Sequence, residues 1–405
     1  MAVGPESKID IAAIEGIRLA AVESHIRYEN RLDLVLIEIA EGSTTAGVFT
    51  QNAFCAAPVR IARQRVQANP SRYFLINTGN ANAGTGSAGE SASLACCDGL
   101  AEITPASSQQ ILPFSTGVIG EALPYEKILS ALPSLYAALS PDSWQLAARG
   151  ILTTDTRPKL ASTSFAVDSL QVNISGFAKG SGMIRPNMAT MLAYVFTDAK
   201  IEKPLLDRFL QEAVNNSFNR ITVDGDTSTN DCCMLVATGK GSVHITDADS
   251  DAATQFRTEI NAVFEQLATD LIRDAEGASK FITIEVNDGE SEQECLQVAY
   301  TIAESPLVKT AFFASDPNWG RILAAIGRAG IADLDIEAVT VALGDTPLVS
   351  NGSVDASYTE SAGQAEMDKD EIRVRISLGR GQANERVWTS DLSNEFVRIN
   401  ADYRS

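Results

Sequence analysis

Histidine is almost missing from this chain: His25 and His244 are the only two in 405 residues. That leaves little material for a Ser-His-Asp triad or a multi-histidine metal site. Cysteine is sparse and badly spaced for such work. Cys55, Cys96, Cys97, Cys232, Cys233 and Cys295 include two adjacent pairs but no Cys-x-x-Cys. They read as small buried thiols of a reducing compartment. No run of ~18 apolar residues suggests a membrane span. Residues 1–10 lack both the charged-then-apolar pattern of a signal peptide and the Arg-rich, acid-poor pattern of a transit peptide, so the expectation is cytoplasmic. Basic charge is short as well. Lys and Arg total 32 against 52 Asp and Glu, a formal charge of −20. That disfavours nucleic acid and anionic membrane surfaces as partners.

What is present is ordinary globular material, 45% hydrophobic and 21% charged. The length allows two domains or one large layered one. Residues 32–40, 72–77, 165–174, 191–197, 232–238, 281–286, 336–343 and 371–378 read as strands, from apolar alternation or short apolar runs. Residues 90–103, 125–132, 144–151, 203–217, 252–275, 297–310 and 321–329 read as helices, with Pro133 and Pro141 as breaks. Residues 355–370 are polar and acidic and read as an exposed loop. No internal repeat or low-complexity tract appears. The mixture predicts an α/β layered fold, an α+β sandwich.

Two motifs look functional and fail on spacing. Gly84-Thr-Gly-Ser-Ala-Gly89 has the form G-x-G-x-x-G, but residues 78–83 intervene between strand and glycines. A pyrophosphate turn leaves no room for that insert. Asp224-Gly-Asp-Thr-Ser-Thr-Asn-Asp231 resembles a calcium loop, yet Thr229 and Leu235 stand where the loop needs Gly and Glu. It reads as an acidic turn bonded by its own side chains.

The segment Lys179-Gly-Ser-Gly-Met-Ile-Arg-Pro-Asn-Met-Ala-Thr190 is different. Thr190 follows a small residue, Ala189, after a Gly- and Pro-rich lead-in, and an apolar strand follows it. A hydroxyl forced against the preceding carbonyl can attack it, giving an ester by N→O acyl shift. Hydrolysis then cuts the chain into residues 1–189 and 190–405. The new α-amine has a reference pKa of about 7.7–8.0, so a neutral fraction can act as base for its own hydroxyl. A nucleophile that carries its own base suits a chain poor in histidine.

This segment resembles the self-cleavage site of ornithine acetyltransferases, the glutamate N-acetyltransferases of the cyclic arginine pathway. The resemblance runs end to end through Ala46–Asn52, Ala57–Val59, Asn77–Ala83, Ser115–Glu121, Gly150–Lys159, Ser217–Asn230, Asp316–Arg321 and Val397–Ser405. It implies an N-terminal-nucleophile-like acyltransferase cut into two associated chains, with a heterotetramer of two alpha and two beta chains. N2-acetylornithine would acylate Thr190, and L-glutamate would take the acetyl group, a ping-pong cycle. No metal or redox cofactor is implied. Some members also use acetyl-CoA as donor, and the sequence leaves this open.

The resemblance assigns the oxyanion hole to Thr116 and Gly117. It assigns substrate contacts to Lys179, Thr190, Glu276, Asn400, Ser405 and one of Thr153 and Thr154, with Thr153 favoured. Lys179 would hold an α-carboxylate, and Glu276 an amino group. Ala275, Ser279 and Ser405 depart conservatively from the family strings. An acidic amino-acid substrate needs such a locally basic pocket in a protein of this charge. Two alternatives stand beside this reading. One is an amidohydrolase or aminopeptidase of the N-terminal-nucleophile type, using the same cut with water as acceptor. The other is a non-catalytic amino-acid-binding protein.

Overall fold

A computed structural model describes residues 2–5, 9–185 and 191–402. Its centre is a five-stranded sheet ordered Thr44–Phe49, Cys232–Ala237, Leu192–Thr197, Leu170–Lys179, Lys159–Val167. All six residues of Leu192–Thr197 are buried. Alternate side chains of a strand point to opposite faces. Leu192, Tyr194 and Phe196 therefore enter one core, and Ala193 and Val195 enter another. Cys232–Ala237 divides in the same way. A strand with two apolar faces needs a layer on each side.

One layer is a four-stranded sheet ordered Ile17–Val22, Leu34–Ile39, Tyr73–Asn80, Ile111–Val118. Between the sheets Phe74 and Phe114 meet Tyr194, and Trp144 meets Phe196, with ring centroids 5.4–5.9 Å apart. Truncating Phe196 to Ala would cost roughly 3–5 kcal/mol. The other layer is helices Lys203–Asn216 and Asp251–Arg273, packed on Val195 and Leu235. Helices Gly86–Ile103 and Tyr125–Ala137 cover the outer face of the four-stranded sheet. The result is helix–sheet–sheet–helix, the layered α/β sandwich expected. Beside it lies a seven-stranded mixed sheet carrying helices Glu292–Ala303, Pro306–Phe313 and Trp319–Gly327.

The central sheet joins the sequence on both sides of the segment 186–190. Lys179 pairs with Leu192, and Phe49 pairs with Cys232. Both cores likewise draw on residues before and after that segment.

Several expectations need correction. Residues 165–174 belong to a hairpin, Lys159–Val167 with Leu170–Lys179. Its turn is Asp168-Ser169, both at positive φ, the conformation of a tight two-residue connection. Pro133 does not end its helix, which runs Tyr125–Ala137. Ile128, Leu132 and Leu135 are buried along one face, and that packing outweighs the lost backbone bond. Residues 297–310 are two helices broken before Pro306. The strand expected at 336–343 is only Thr340–Leu343. Residues 355–370 contain helix Glu360–Met367, started by the Thr359 hydroxyl accepting the Ala362 N–H and anchored by buried Met367. Five of the six cysteines are buried, and Cys55 is half-buried.

Candidate active site

Strands Tyr73–Asn80 and Ile111–Val118 are parallel, and their pairing slips at Gly79/Asn80 opposite Gly117. Gly117 has φ +134°, and a Cβ there would sit 2.3 Å from the Gly79 carbonyl carbon. Only glycine allows the two backbones this approach. Asn230 clamps the same place. Its side-chain N–H groups donate to the carbonyls of Ala81 at 2.5 Å and Ser115 at 2.9 Å. Thr116 and Gly117 thus stand at a rigid strand end that faces a cavity of about 270 Å³.

Lys179, at the end of its strand, reaches into that cavity. Its ammonium donates to Thr116 Oγ1 at 3.1 Å and to Thr153 Oγ1 at 2.8 Å. It is 9% exposed and makes no ion pair among the described residues. Burial lowers its pKa, opposed chiefly by Asp155. Among the described residues two of its three N–H bonds are engaged, so one remains for a ligand. Because Thr116 Oγ1 accepts from Lys179, its own proton is free to be donated elsewhere. With the Gly117 N–H, this gives two neighbouring donors of the kind that stabilise an oxyanion.

Lys159 is a contrast. It lies between Asp155 and Asp274, 2.6 Å from the latter, with all three side chains buried. Burial pushes the Asp155 pKa up, but Lys159 and then Lys179 pull it further down, and it ends well below the ordinary carboxyl range. Asp155 also accepts from the N–H groups of Gly180 and Thr153. The pair is therefore a strut that fixes the Thr153 loop against the end of the Lys179 strand.

Across the cavity Glu276 follows helix Asp251–Arg273. Its N–H donates to the Ser181 carbonyl at 2.8 Å, and its carboxylate accepts from Asn400 at 2.8 Å. Asn400 lies on helix Asn394–Ala401. Gly277, at φ +69°, lets that helix dock: a Cβ would meet the Phe396 nitrogen at 2.5 Å. Thr116, Gly117, Thr153, Thr154, Lys179, Glu276 and Asn400 all line one cavity. Thr153 and Thr154 differ in partner, since Thr153 contacts Lys179 and Thr154 contacts Ser181 at 2.7 Å. Ala189, Thr190 and Ser405 lie outside the described residues. Met191 is described: it is buried, and its carbonyl accepts the Cys232 N–H at 2.9 Å.

Sequence reasoning passed over Asn230, Ser181 and Ser228, which also line the cavity. All three sit inside strings already singled out. The cue for Asn230 was a polar run ending abruptly in an apolar strand. Asp224 serves as an acceptor within the fold and takes the N–H of Asp226 at 3.1 Å. Its carboxylate accepts the N–H groups of Met183 at 2.6 Å and Ile184 at 3.0 Å.

The model of the ArgJ family matches residues 18–405. This chain belongs to the ArgJ family. It is 52% identical over its full length to the arginine biosynthesis bifunctional protein ArgJ of Pseudomonas fluorescens, and 53% to that of Methylococcus capsulatus, each also covered in full. A crystal structure of the ArgJ protein from Bacillus halodurans matches with TM-score 0.50 and 36% identity, over 52% of this chain and 99% of that one. The chain is accordingly an acyltransferase of arginine biosynthesis. Membership favours that reading over the hydrolase and the non-catalytic binding protein. No described helix is long and apolar enough to cross a membrane.

Proposed function

We propose that the chain cuts itself between Ala189 and Thr190, then moves an acetyl group from N2-acetylornithine to L-glutamate through an ester on Thr190. The observation that carries this is the bond from Lys179 to Thr116 Oγ1. It turns the Thr116 proton toward a ligand beside the Gly117 N–H, while leaving one ammonium N–H for a carboxylate.

The donor's α-carboxylate is taken by Lys179, and its side-chain ammonium by Glu276, held in place by Asn400. The Thr190 hydroxyl, its proton taken by its own α-amine, attacks the acetyl carbonyl. Thr116 and Gly117 hold the resulting oxyanion. The C–N bond breaks, ornithine leaves with the proton, and the acetyl group stays on Thr190 Oγ. Glutamate then attacks that ester through its amine, and the same donors hold the second oxyanion. Ser405 adds a hydroxyl to the substrate site. Acetyl-CoA is a second donor in this proposal, supported by the word bifunctional in the relatives' names.

The half-length of the Bacillus halodurans chain supports the cut. It spans 52% of this chain, and residues 190–405 are 216 of 405, about 53%. The shared central sheet supports association of the two fragments, which we place in a cytoplasmic assembly of two alpha and two beta chains. Intact mass spectrometry after incubation with N2-acetylornithine tests both steps. Two copurifying fragments are expected, with one acetyl group on the fragment that begins at Thr190. The Thr190→Ala protein should stay at full length. A second N-terminus elsewhere, or acetyl on the other fragment, refutes the assignment.

A further inference from the structure

A second cavity, of about 220 Å³, lies against the first. The two share Gly117, Val118, Thr153 and Thr154 in their walls. The charged residues of the second are Arg27, Arg31, Asp33 and Asp402. Arg31 is half-buried in the loop before strand Leu34–Ile39. Its Nη2 donates to the carbonyls of Leu152 and Thr153, each at 2.7 Å. A guanidinium carries five N–H donors in a planar fork. Two are spent on those carbonyls, and the three on Nη1 and Nε have no partner among the described residues.

The other charges of this cavity are placed differently. Arg27 is matched by Glu121 at 2.7 Å, whereas Arg31 makes no ion pair among the described residues. The Asp33 carboxylate accepts the N–H groups of Ser24 at 2.6 Å and Ile26 at 2.7 Å, and the Ser24 hydroxyl at 2.8 Å. It is spent on holding its own loop. Asp402 is exposed at the end of helix Asn394–Ala401. Arg31 is therefore to the second cavity what Lys179 is to the first, a cation with donors in hand. Thr153 joins the two. Its hydroxyl accepts from Lys179 at 2.8 Å, and its carbonyl accepts from Arg31 at 2.7 Å.

We propose that Arg31 takes the side-chain carboxylate of the acceptor while Lys179 holds its α-carboxylate, so that Arg31 selects an acidic amino acid. This rests on the proposed transfer to glutamate and adds where its second negative charge goes. Two cations on either side of one residue suit a small molecule with two carboxylates. The Glu276 end of the first cavity does not, because a carboxylate there meets another of the same sign. A guanidinium N–H gives a carboxylate a charge-assisted bond, stronger than a neutral one. An ammonium in the second cavity would face Arg31 and be repelled. Donor and acceptor then share Lys179 and the oxyanion donors and part at Thr153. One side chain runs to Glu276 and the other to Arg31.

Isothermal titration of wild type, Arg31→Gln and Arg31→Lys with glutamate, its neutral isostere glutamine, and ornithine tests this. All three ligands carry the α-carboxylate, so ratios of Kd isolate the side chain. Wild type should bind glutamate more tightly than glutamine, by roughly tenfold or more. Arg31→Gln keeps an amide donor for the loop carbonyls and loses the charge. Its Kd for glutamate should rise roughly 10- to 150-fold, the range for a lost charged hydrogen bond, with glutamine and ornithine changed far less. Arg31→Lys, which keeps the charge, should recover part of that loss. A purely structural Arg31 would instead shift Thr153, and Lys179 with it, raising all three Kd values together; that result overturns the proposal. So does wild type that binds glutamate no more tightly than glutamine, which decides the matter if Arg31→Gln fails to fold in thermal melts. Kinetics with acetyl-CoA as donor cover the other source of an anion. If Arg31→Gln raises KM for acetyl-CoA and leaves that for glutamate unchanged, the cavity serves a phosphate-bearing donor and the proposal is wrong. Wild type that binds glutamate as expected but passes it no acetyl group from N2-acetylornithine overturns the transfer reading itself, which distinguishes the two failures.

Discussion

Replacing Lys179 by Met should make the empty enzyme more stable and the working enzyme much worse. Lys179 is a buried cation whose hydrogen bonds go to two neutral hydroxyls, with no carboxylate in ion-pair contact among the described residues. Lys159, a short way off, has two. Removing the unmatched charge should raise stability at neutral pH by roughly 1–4 kcal/mol, by analogy with buried ion pairs replaced by apolar side chains. The sign with pH follows from burial, which lowers the Lys179 pKa in the folded state. The unfolded chain then binds more protons between that lowered value and about 10.4, so wild-type stability rises with pH across this window. Below the window the cost is fully present, and Met removes it. Function moves the other way. In the proposed mechanism one ammonium serves the α-carboxylate of donor and acceptor alike. Its loss should raise KM for both by roughly 2–5 kcal/mol, about 30- to 5,000-fold at 1.36 kcal/mol per tenfold. Urea melts of the ligand-free protein at two pH values, with steady-state kinetics on both substrates, read the two effects. A variant that is less stable and binds both substrates normally would show that Lys179 is a structural strut.

Thr116→Val removes one oxyanion donor at nearly constant shape, and kcat should fall by roughly 10²–10³ with KM little changed; an unchanged kcat takes Thr116 out of the mechanism. Glu276→Gln keeps a partner for Asn400 but loses the charge opposite an ammonium. KM for N2-acetylornithine should rise roughly 10- to 150-fold, from about 1.5–3 kcal/mol for a charged hydrogen bond, while KM for glutamate changes less; equal changes would contradict the assignment. Lys309 is buried against Thr389 and the Ser390 carbonyl, and burial lowers its pKa to about 8. Its cost is fully present below that value and is relieved as pH rises toward about 10.4. Lys309→Met should therefore flatten the alkaline gain in stability by about 3 kcal/mol, as read by urea melts; an unaltered slope would mean that Lys309 stays charged throughout.

The layers were legible where one segment is apolar on its own account. Leu192–Thr197 and Cys232–Ala237 announce a strand buried on both faces, and residues 252–275 announce a long helix whatever lies around them. The Asp168-Ser169 turn gave no such notice, because neither residue is the Gly that a positive φ usually demands. Site residues were legible within strings, and the described ones among them, Thr116, Gly117, Thr153, Lys179, Glu276 and Asn400, do line one cavity. Their contacts were not. Lys179 and Thr116 are 63 residues apart, and only the stacking of two sheets brings them together.

An enzyme of charge −20 that handles carboxylate substrates poses a physical problem, and the geometry answers it by range. Exposed carboxylates act through salt water, where fields decay over about 8 Å at physiological ionic strength. A buried ammonium is screened far less. At 4 Å and an effective dielectric of about 20, it attracts a carboxylate by about 4 kcal/mol. The sign at the cavity is therefore set by what remains unmatched there, not by the total. Asp155 and Asp274 are tied to Lys159, so neither cancels Lys179 by direct contact. Glu276 supplies the opposite sign across the same cavity. A cation at one end and an anion at the other fit an amino acid that carries an α-carboxylate and a side-chain ammonium. They fit glutamate at the first end only. In the proposed mechanism the α-carboxylate is then the anchor common to both half-reactions, and the Glu276 end is where donor and acceptor are told apart.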